Sequence, residues 1–280
     1  MLGPIDHFEH SWKLTTPPAN APIYILSAGW RSGSTLLQRL ICSSKSALIW
    51  GEAYARCELV QRLHQASQAL GNHYPHQGHF PEWNPNNPIE EQWIANLFPP
   101  PQSLKNSFRA ALDTLLAEPA HQEGFSRFGL KEVRLDADEG RFLKWIYPDA
   151  RFLLLVRNPW DAWRSAKGLE LYLHWPNSPI TGPTQFAEHW LRLVESFANW
   201  NDPSVFFFRY EDLLTHPHAV DAIANHCGLE PLNASVLDRV VGSTRKRSTL
   251  SSEEIEAIRQ VVGPAAKSLG YEPHPVSAAA

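Results

Sequence analysis

The feature that most constrains this chain is a glycine loop between a predicted strand and a predicted helix. Ile23–Ala28 is a short apolar run of the kind that forms a buried strand, and the loop Gly29–Thr35 follows it. Apolar residues at helical spacing come next, from Leu36 to Ile41. Glycines let backbone amides turn inward, and a helix N-terminus supplies unpaired N–H groups and a positive dipole end. The order strand, loop, helix therefore predicts a cradle for a phosphate-like anion.

The loop differs from that of a nucleoside-triphosphatase, which has a lysine after its second glycine. Here Gly33 is followed directly by Ser34, and the sequence shows no obvious acidic residue at the end of an apolar strand to hold Mg²⁺. Arg31 supplies a planar charge that can grip two oxygens of one anion. An ordinary glycine turn with an N-cap serine is the structural alternative. The residues predicted to line the cradle are Arg31, Ser32, Gly33, Ser34, Thr35 and Leu36.

Strands and helices alternate along the chain, which predicts an α/β protein with a parallel sheet covered on both faces. The predicted strands are Ile23–Ala28, Ala47–Trp50, Gly129–Leu135, Arg151–Val156 and Val205–Arg209. The predicted helices include Tyr54–Leu70, Ser103–Leu116, Pro159–Gly168, Thr184–Trp200, His218–Gly228 and Ser251–Leu269. Ligands of such sheets bind at the carboxyl ends of the strands. Arg31, Glu52 and Arg157 all fall at those ends.

We expect one domain over residues 21–272, preceded by a polar lead-in over 1–20 and followed by a C-terminal tail over 273–280. A chain of 280 residues with 43% hydrophobic content can bury one sizeable core. Two proline-rich stretches, 71–102 and 169–183, interrupt the regular pattern, and long loops of this kind are usually functional covers. We expect both on the acceptor side of the site.

Composition excludes several classes of protein. The formal net charge of −4 does not provide the basic field of a general nucleic-acid binder. No apolar run is long enough to span a bilayer. The three cysteines, Cys42, Cys57 and Cys227, are odd in number and far apart, so they predict neither a disulfide framework nor a metal site. The N-terminal residues lack the apolar core of a signal peptide. We therefore expect a cytoplasmic protein.

Two motifs resemble those of sulfotransferases that use 3′-phosphoadenosine-5′-phosphosulfate (PAPS). The run from Arg31 to Leu37, RSGSTLL, resembles their 5′-phosphosulfate loop. The run LLLVRNPWDAWRS resembles their 3′-phosphate motif, in which an arginine at a strand end and a serine eight residues later hold that phosphate; here these are Arg157 and Ser165. The segment Phe207–Leu214, which includes Tyr210, resembles the family's segment after its next strand.

The resemblance runs from about Ile23 to Tyr271 and is closest to bacterial and tyrosylprotein sulfotransferases. It implies the P-loop-like sulfotransferase fold, PAPS as co-substrate, adenosine 3′,5′-bisphosphate as product, and no metal. In the tyrosylprotein enzymes a Gly-Glu pair supplies the general base, and this role maps onto Glu52, 21 residues after Arg31. A lysine that neutralises the leaving oxygen maps onto Lys131. With Arg31, these residues form the predicted catalytic set.

Each of these residues has a structural alternative. Glu52 could cap a helix or pair with Arg56, Lys131 could pair with Glu132, and Arg157 with Asp161. Histidines are the second candidates for the base, since other sulfotransferases use one: His64, His73, His76 and His79. The family also has a late loop over the nucleotide. The basic run Arg245–Ser248 suggests Arg247 and Ser248 as further nucleotide contacts, unless this run is simply a solvated charge cluster.

The sequence does not identify the acceptor. A hydroxyl is expected, with an amine less favoured, on a small molecule, a carbohydrate or a peptide. Trp83 and Trp175, in the proline-rich loops, are candidates for the acceptor side. Two alternatives remain at this stage: a metal-dependent nucleotide or small-molecule kinase, and a non-catalytic nucleotide-binding protein on the same fold. The oligomeric state is open.

Overall fold

The computed structural model describes residues 17–52, 58–68, 85–92, 99–167, 180–238 and 248–273. Within these ranges a sheet of five parallel strands has the order β2-β3-β1-β4-β5. The strands are β1 (Ile23–Ser27), β2 (Ala47–Trp50), β3 (Arg127–Glu132), β4 (Arg151–Val156) and β5 (Val205–Arg209). β1 lies in the centre, so the chain departs from β1 toward one edge and later continues on its other side. This reversal is where open α/β sheets form their ligand crevice.

Helices connect and cover the strands. The α-helices are α1 (Ser34–Cys42), α2 (Leu59–Ser67), α3 (Pro101–Leu112), α4 (Glu118–Gln122), α5 (Ala137–Ile146), α6 (Pro159–Ala166), α7 (Pro183–Ala198), α8 (Tyr210–Thr215), α9 (Ala219–Cys227) and α10 (Ser252–Ser268). A π-helical turn, Asp113–Ala117, joins α3 to α4, and short 3₁₀ turns occur at Ile89–Glu91 and Ala234–Val236. The predicted α/β class, a parallel sheet flanked by helices, is confirmed.

The core consists of two apolar layers, one on each face of the sheet. Side chains alternate along a strand, so Tyr24 and Leu26 join one layer while Ile23 and Ile25 join the other. The first layer includes buried residues of α5, α7 and α10, and the second includes residues of α1 and α9. Every residue of β1 is buried, as expected for the central strand of a sheet covered on both faces.

Register brings the carboxyl ends of the strands together at one edge. Trp50 lies beside Leu130, Leu26 beside Glu132 and Leu154, and Val156 beside Arg209. The glycine loop, Glu52, Arg157 and Tyr210 each follow a strand directly or within two residues of its end. The fold therefore gathers four segments distant in sequence.

Some element boundaries differ from those predicted. The strand predicted over Gly129–Leu135 begins two residues earlier, because the buried Arg127 joins the sheet: its backbone N–H donates to Ser46 O at 3.0 Å and its Nε to Ala21 O at 2.6 Å. The strand ends at Glu132, an acidic residue at a strand end that the sequence pattern did not indicate. Its carboxylate accepts from the backbone N–H of Val133 and pairs with Arg134. A charged residue at each end of the strand thus made the apolar pattern a poor guide to its boundaries.

The helix predicted over Ser103–Leu116 begins at Pro101 and changes to π geometry at Asp113. Helix α5 has no counterpart in the sequence analysis, although Asp136 and Glu139 form a capping box at its start. Of the helix predicted over Tyr54–Leu70, the described part is α2. None of the described helices is long and apolar enough to cross a membrane.

Candidate active site

The glycine loop has the backbone geometry of an anion cradle. Gly29 and Gly33 have φ of +83° and +93°, in the left-handed region that favours glycine. Gly33 is the N-cap residue of α1, where no side chain caps the helix and no acidic residue lies in the first turn. The first N–H groups of α1 therefore offer donors for an anion. This is the geometry that the sequence predicts for Gly33, Ser34 and Thr35.

The two serines of the loop differ in role. The Ser32 hydroxyl donates to Ser27 Oγ at 2.8 Å, and both side chains are buried. This bond fastens the loop to the end of β1, and the contact predicted between Ser32 and a ligand stays a prediction. Ser34 is buried and Thr35 is exposed. Leu36 is half-buried and donates its backbone N–H to Gly33 O at 2.9 Å, which closes the first turn of the helix.

Arg31 adopts a left-handed backbone conformation with φ of +61°. For a residue with a Cβ, such a conformation costs roughly 1–3 kcal/mol and persists where the surroundings fix it. Strain of this kind concentrates at functional sites, because it fixes a side chain where an ordinary loop would relax. The Arg31 side chain is exposed at the carboxyl end of the central strand.

The two predicted anion-binding motifs meet in space. Arg31 Nε donates to Ser165 Oγ at 3.0 Å, and Arg157 Nη1 donates to the carbonyl oxygen of Arg31 at 2.8 Å. Asp161, the alternative partner of Arg157, pairs with Arg164 on its own helix at 2.7 Å. The loop after β1 thus contacts Arg157, just before α6, and Ser165, in the last turn of α6, and the three residues form one polar surface.

Tyr210 closes this surface from the end of β5. A Cβ added to Gly33 would lie 2.2 Å from Tyr210 Cδ2, so the tyrosine ring packs directly on the glycine. The Arg157 guanidinium lies 4.7 Å from the centroid of the same ring, a cation–π distance. Arg157 Nε is buried and makes no hydrogen bond with the described part of the chain.

A second set of contacts fixes the backbone around Arg157. Trp190 Nε1 donates to Arg157 O at 3.0 Å. The carboxylate of Glu211 accepts from the Asn158 backbone N–H at 3.1 Å and from the Tyr271 hydroxyl at 2.8 Å. Burial and the neighbouring Glu211 hold the pKa of Tyr271 well above its usual range, so its hydroxyl stays a donor.

Asn158 links this framework to α6, since its Oδ1 caps the helix that carries Ser165. The sequence alone indicates no role beside Arg157 for Asn158, Glu211, Trp190 or Tyr271. A usable signal existed for Asn158: an asparagine before a proline at the start of a helix is a typical N-cap. The other three depend on tertiary contacts.

Glu52 and Lys131 form an ion pair at the ends of β2 and β3. Lys131 Nζ donates to Glu52 Oε1; the lysine side chain is 7% exposed and that of the glutamate 23%. Lys131 thus pairs with Glu52 and not with Glu132, which pairs with Arg134 instead. Arg56, the alternative partner of Glu52, lies outside the described residues. The two predicted catalytic side chains are thus in contact.

The remaining candidates divide into described and undescribed residues. Ser248 donates its hydroxyl to Arg164 O at 2.6 Å, next to Ser165 in sequence. His64 lies on α2 with its ring against Phe142 and its Nδ1 3.8 Å from Glu139 Oε1, both on α5. Outside the described residues lie Arg247, His73, His76, His79, Trp83 and Trp175. In the described ranges, no group of three or more His, Cys, Asp or Glu side chains is arranged to hold a metal ion.

The sheet is parallel, a glycine loop follows its central strand, and an arginine follows the neighbouring strand. These features define a P-loop-like α/β protein. The sequence assigns the chain to one family within this class. Residues 22–233 match the model of the sulfotransferase family, and the chain belongs to that family.

Several solved structures are similar to this chain at low sequence identity. The sulfotransferase domain of the olefin synthase of Synechococcus PCC 7002 is 13% identical, with 94% of this chain and 100% of that domain covered and a TM-score of 0.46. A sulfotransferase of Mycobacterium avium is 16% identical, with 91% and 78% covered and a TM-score of 0.44. One of Alicyclobacillus acidocaldarius is 14% identical, with 90% and 97% covered and a TM-score of 0.44. No curated protein matches the chain significantly.

Proposed function

We propose that this chain transfers a sulfuryl group from PAPS to an acceptor hydroxyl and releases adenosine 3′,5′-bisphosphate. An amine is the less favoured acceptor. The observation that carries the proposal is the hydrogen-bonded chain Ser165–Arg31–Arg157, which joins the glycine loop to the end of β4. A donor with a phosphosulfate at one end and a second phosphate on the ribose needs two connected anion sites, and these hydrogen bonds support placing both at this end of the sheet.

The loop side of this surface suits the phosphosulfate end of the donor. The free N–H groups at the start of α1 and the guanidinium of Arg31 would hold its oxygens. Arg157 and Ser165 suit the 3′-phosphate, with Tyr210 supporting the Arg157 guanidinium from one side. Arg247 and Ser248 remain proposed nucleotide contacts. Support for Ser248 comes from its bond to Arg164 O, which places it at α6 beside Ser165.

Glu52 is the proposed general base. As the new bond forms between the acceptor oxygen and sulfur, the hydroxyl proton passes to the Glu52 carboxylate, and the bond between sulfur and the phosphate oxygen breaks. General-base assistance of this kind contributes about 10²–10⁴-fold in rate. Negative charge then grows on the phosphate oxygen that leaves.

Lys131 and Arg31 are the proposed stabilisers of that charge, since fixed cations aimed at developing charge are among the largest contributions to catalysis. The Lys131–Glu52 ion pair supports a paired role. An arriving acceptor hydroxyl would take the place of Lys131 at the Glu52 carboxylate and release the ammonium group toward the leaving oxygen. The pair would thus keep both side chains ordered until the acceptor binds.

The acceptor is proposed to be a small molecule, a carbohydrate or a peptide, bound beside the stretches 71–102 and 169–183. The predicted cytoplasmic location stays a prediction. An acceptor screen tests the proposal: the purified protein and PAPS are incubated with representatives of each class, and products are read by mass. A gain of one sulfuryl group on an acceptor hydroxyl, with equimolar bisphosphate released, is expected. Phosphoryl transfer from ATP·Mg²⁺ would instead support the kinase alternative.

A further inference from the structure

His189, on α7, contacts two separate parts of the candidate site. Its ring stacks on that of Trp30, with centroids 4.7 Å apart and planes inclined by 27°. Its Nε2 lies 3.2 Å from the carbonyl oxygen of Val133, two residues beyond Lys131. A carbonyl oxygen only accepts, so Nε2 carries the proton and donates it. His189 therefore ties the glycine loop to the end of β3.

The loop has a specific need for this contact. Trp30 immediately precedes Arg31, whose left-handed φ of +61° persists only where the neighbouring structure restrains it. Arg157 holds the carbonyl oxygen of Arg31. His189 holds the ring of the residue before it, and it also packs near Gly29, where an added Cβ would lie 3.5 Å from His189 Cδ2. The strained residue is thus restrained from both sides.

His189 is not placed to act as a base. Burial, with a smaller effect of the nearby Arg192, lowers the pKa of His189 to about 4. The ring is neutral at physiological pH, and its one N–H is committed to Val133 O. Its chemical contribution is a fixed donor and a flat face, both of which position neighbouring groups.

We propose that His189 is a positioning residue that keeps Arg31 and the glycine loop in their anion-binding conformation by holding Trp30 against the end of β3. The inference rests on the proposed function for the identity of the nucleotide. The anion-binding geometry of the loop is independent of the proposed function. Inorganic pyrophosphate, which tests that geometry without the nucleotide, therefore serves as a second probe.

The test is a double-mutant cycle between the two stacked residues. His189→Ala, Trp30→Ala and the double variant are titrated by calorimetry with adenosine 3′,5′-bisphosphate and with pyrophosphate, well below their unfolding temperatures. Each single variant is expected to weaken binding of both probes roughly tenfold, and the double variant little further, because contacting residues that act through one interaction are not additive. Trp30→Phe, which keeps a ring for stacking, should stay close to wild type.

His226 provides a matched control at the opposite end of the sheet. Its ring stacks on Phe206 at 5.4 Å, its Nε2 lies 3.1 Å from Ser204 O, and burial lowers its pKa to about 4. Ser204 precedes β5, far from the carboxyl ends of the strands. His226→Ala should lower the unfolding temperature and leave both affinities unchanged.

Two outcomes overturn the inference. In the first, His189→Ala lowers the unfolding temperature as His226→Ala does but binds both probes as wild type does, which would make its role purely structural. In the second, the wild type binds neither probe, which would contradict the premise that the glycine loop binds anions. Binding of pyrophosphate without the bisphosphate would contradict the proposed function alone. If His189→Ala does not fold, His189→Gln replaces it, since its amide can still donate to Val133 O.

Discussion

Arg157 contacts three parts of the site: its Nη1 donates to the glycine loop, its guanidinium stacks on Tyr210, and its backbone carbonyl accepts from Trp190. One guanidinium nitrogen, Nε, is buried without a hydrogen-bond partner in the described residues. The guanidinium lies between the glycine loop and Tyr210, where the proposed nucleotide would bind. Among single residues, Arg157 should therefore affect nucleotide affinity most.

Arg157→Ala should weaken binding of adenosine 3′,5′-bisphosphate by roughly 1.5–3 kcal/mol, the usual value of a charge-assisted hydrogen bond. Binding of adenosine 5′-monophosphate, which lacks the 3′-phosphate, should change much less. Calorimetry with both nucleotides measures the difference. Arg259→Ala, at an exposed ion pair on α10, is the control and should change neither affinity. Equal losses for both nucleotides in Arg157→Ala would show that Arg157 does not contact the 3′-phosphate.

Glu52→Gln should lower turnover by about 10²–10⁴ and leave bisphosphate affinity nearly intact, because the amide keeps the shape of the carboxylate but cannot take a proton. Steady-state kinetics with an acceptor from the screen, together with calorimetry, measure both quantities. Glu256→Gln, an exposed carboxylate on α10, is the matched control. Full activity in Glu52→Gln would remove Glu52 from the mechanism. Loss of activity in His73→Ala, His76→Ala or His79→Ala would then identify the base.

Individual residues of the candidate site were predictable where they belong to a recognisable sequence motif. Arg31, Arg157 and Ser165 belong to two recognisable segments, and the structure brings all three together. Trp30 and His189 could not be paired from the sequence, because the stack joins residues 159 positions apart through the packing of α7. Lys131 and Glu52 were each predicted, but their direct contact depends on the register between β2 and β3.

At the scale of secondary-structure elements, helix α8 packs closely against the loop that joins β1 to α1. Tyr210, the first residue of α8, occupies the space that a side chain at Gly33 would need. Gly33 also has φ of +93°. Both the backbone conformation and the close approach thus require glycine at this position.

Gly33→Ala should therefore lower the free energy of unfolding by more than the cost of a positive φ alone. Gly124 has a similar φ of +88°, but nothing lies within 4 Å of an added Cβ. Gly124→Ala should lower the free energy of unfolding by about 1 kcal/mol, the typical cost of the conformation. Gly33→Ala should lower it further and also weaken bisphosphate binding, which denaturant unfolding and calorimetry measure. Equal costs for the two variants, with nucleotide affinity retained, would contradict the proposed fit between Tyr210 and the loop.

Elements were predictable where local signals are strong. The bounds of β2, β4 and β5 match those predicted, and the helix predicted from Ser251 begins there with a capping box of Ser251 and Glu254. The π turn at Asp113–Ala117 follows from tertiary contacts, including the hydrogen bond from the Tyr147 hydroxyl to Asp113 Oδ1 at 2.7 Å. No periodicity in the sequence indicates such a turn.

At the scale of the whole molecule, the two buried histidines make stability depend on pH. Burial lowers the pKa of His189 and of His226 to about 4, from an ordinary value of 6.5. Between these values the unfolded chain binds protons that the folded protein does not. The free energy of unfolding therefore falls as the pH drops from about 6.5 toward about 4.

His226→Gln isolates one of these contributions, since its amide can donate to Ser204 O but does not titrate. Between pH 6.5 and 4, its free energy of unfolding should fall less steeply than that of the wild type. The slopes should differ by up to about 1.4 kcal/mol per pH unit, the value of one proton. Denaturant unfolding at several pH values measures both slopes. Burial raises the pKa of Glu139 to about 8, an effect of opposite sign that cancels in this comparison. Parallel slopes would mean that His226 protonates freely in the folded protein.

The central claim is that one edge of the sheet binds a nucleotide with phosphates at both its 3′ and 5′ positions. Calorimetry of the wild type with adenosine 3′,5′-bisphosphate, in the presence of a metal chelator, tests it most directly. The proposed site predicts a dissociation constant of about 1 μM or lower, equivalent to roughly 8 kcal/mol of binding free energy. Addition of Mg²⁺ should not strengthen it. Absence of bisphosphate binding, together with tight binding of ATP·Mg²⁺, would contradict the account.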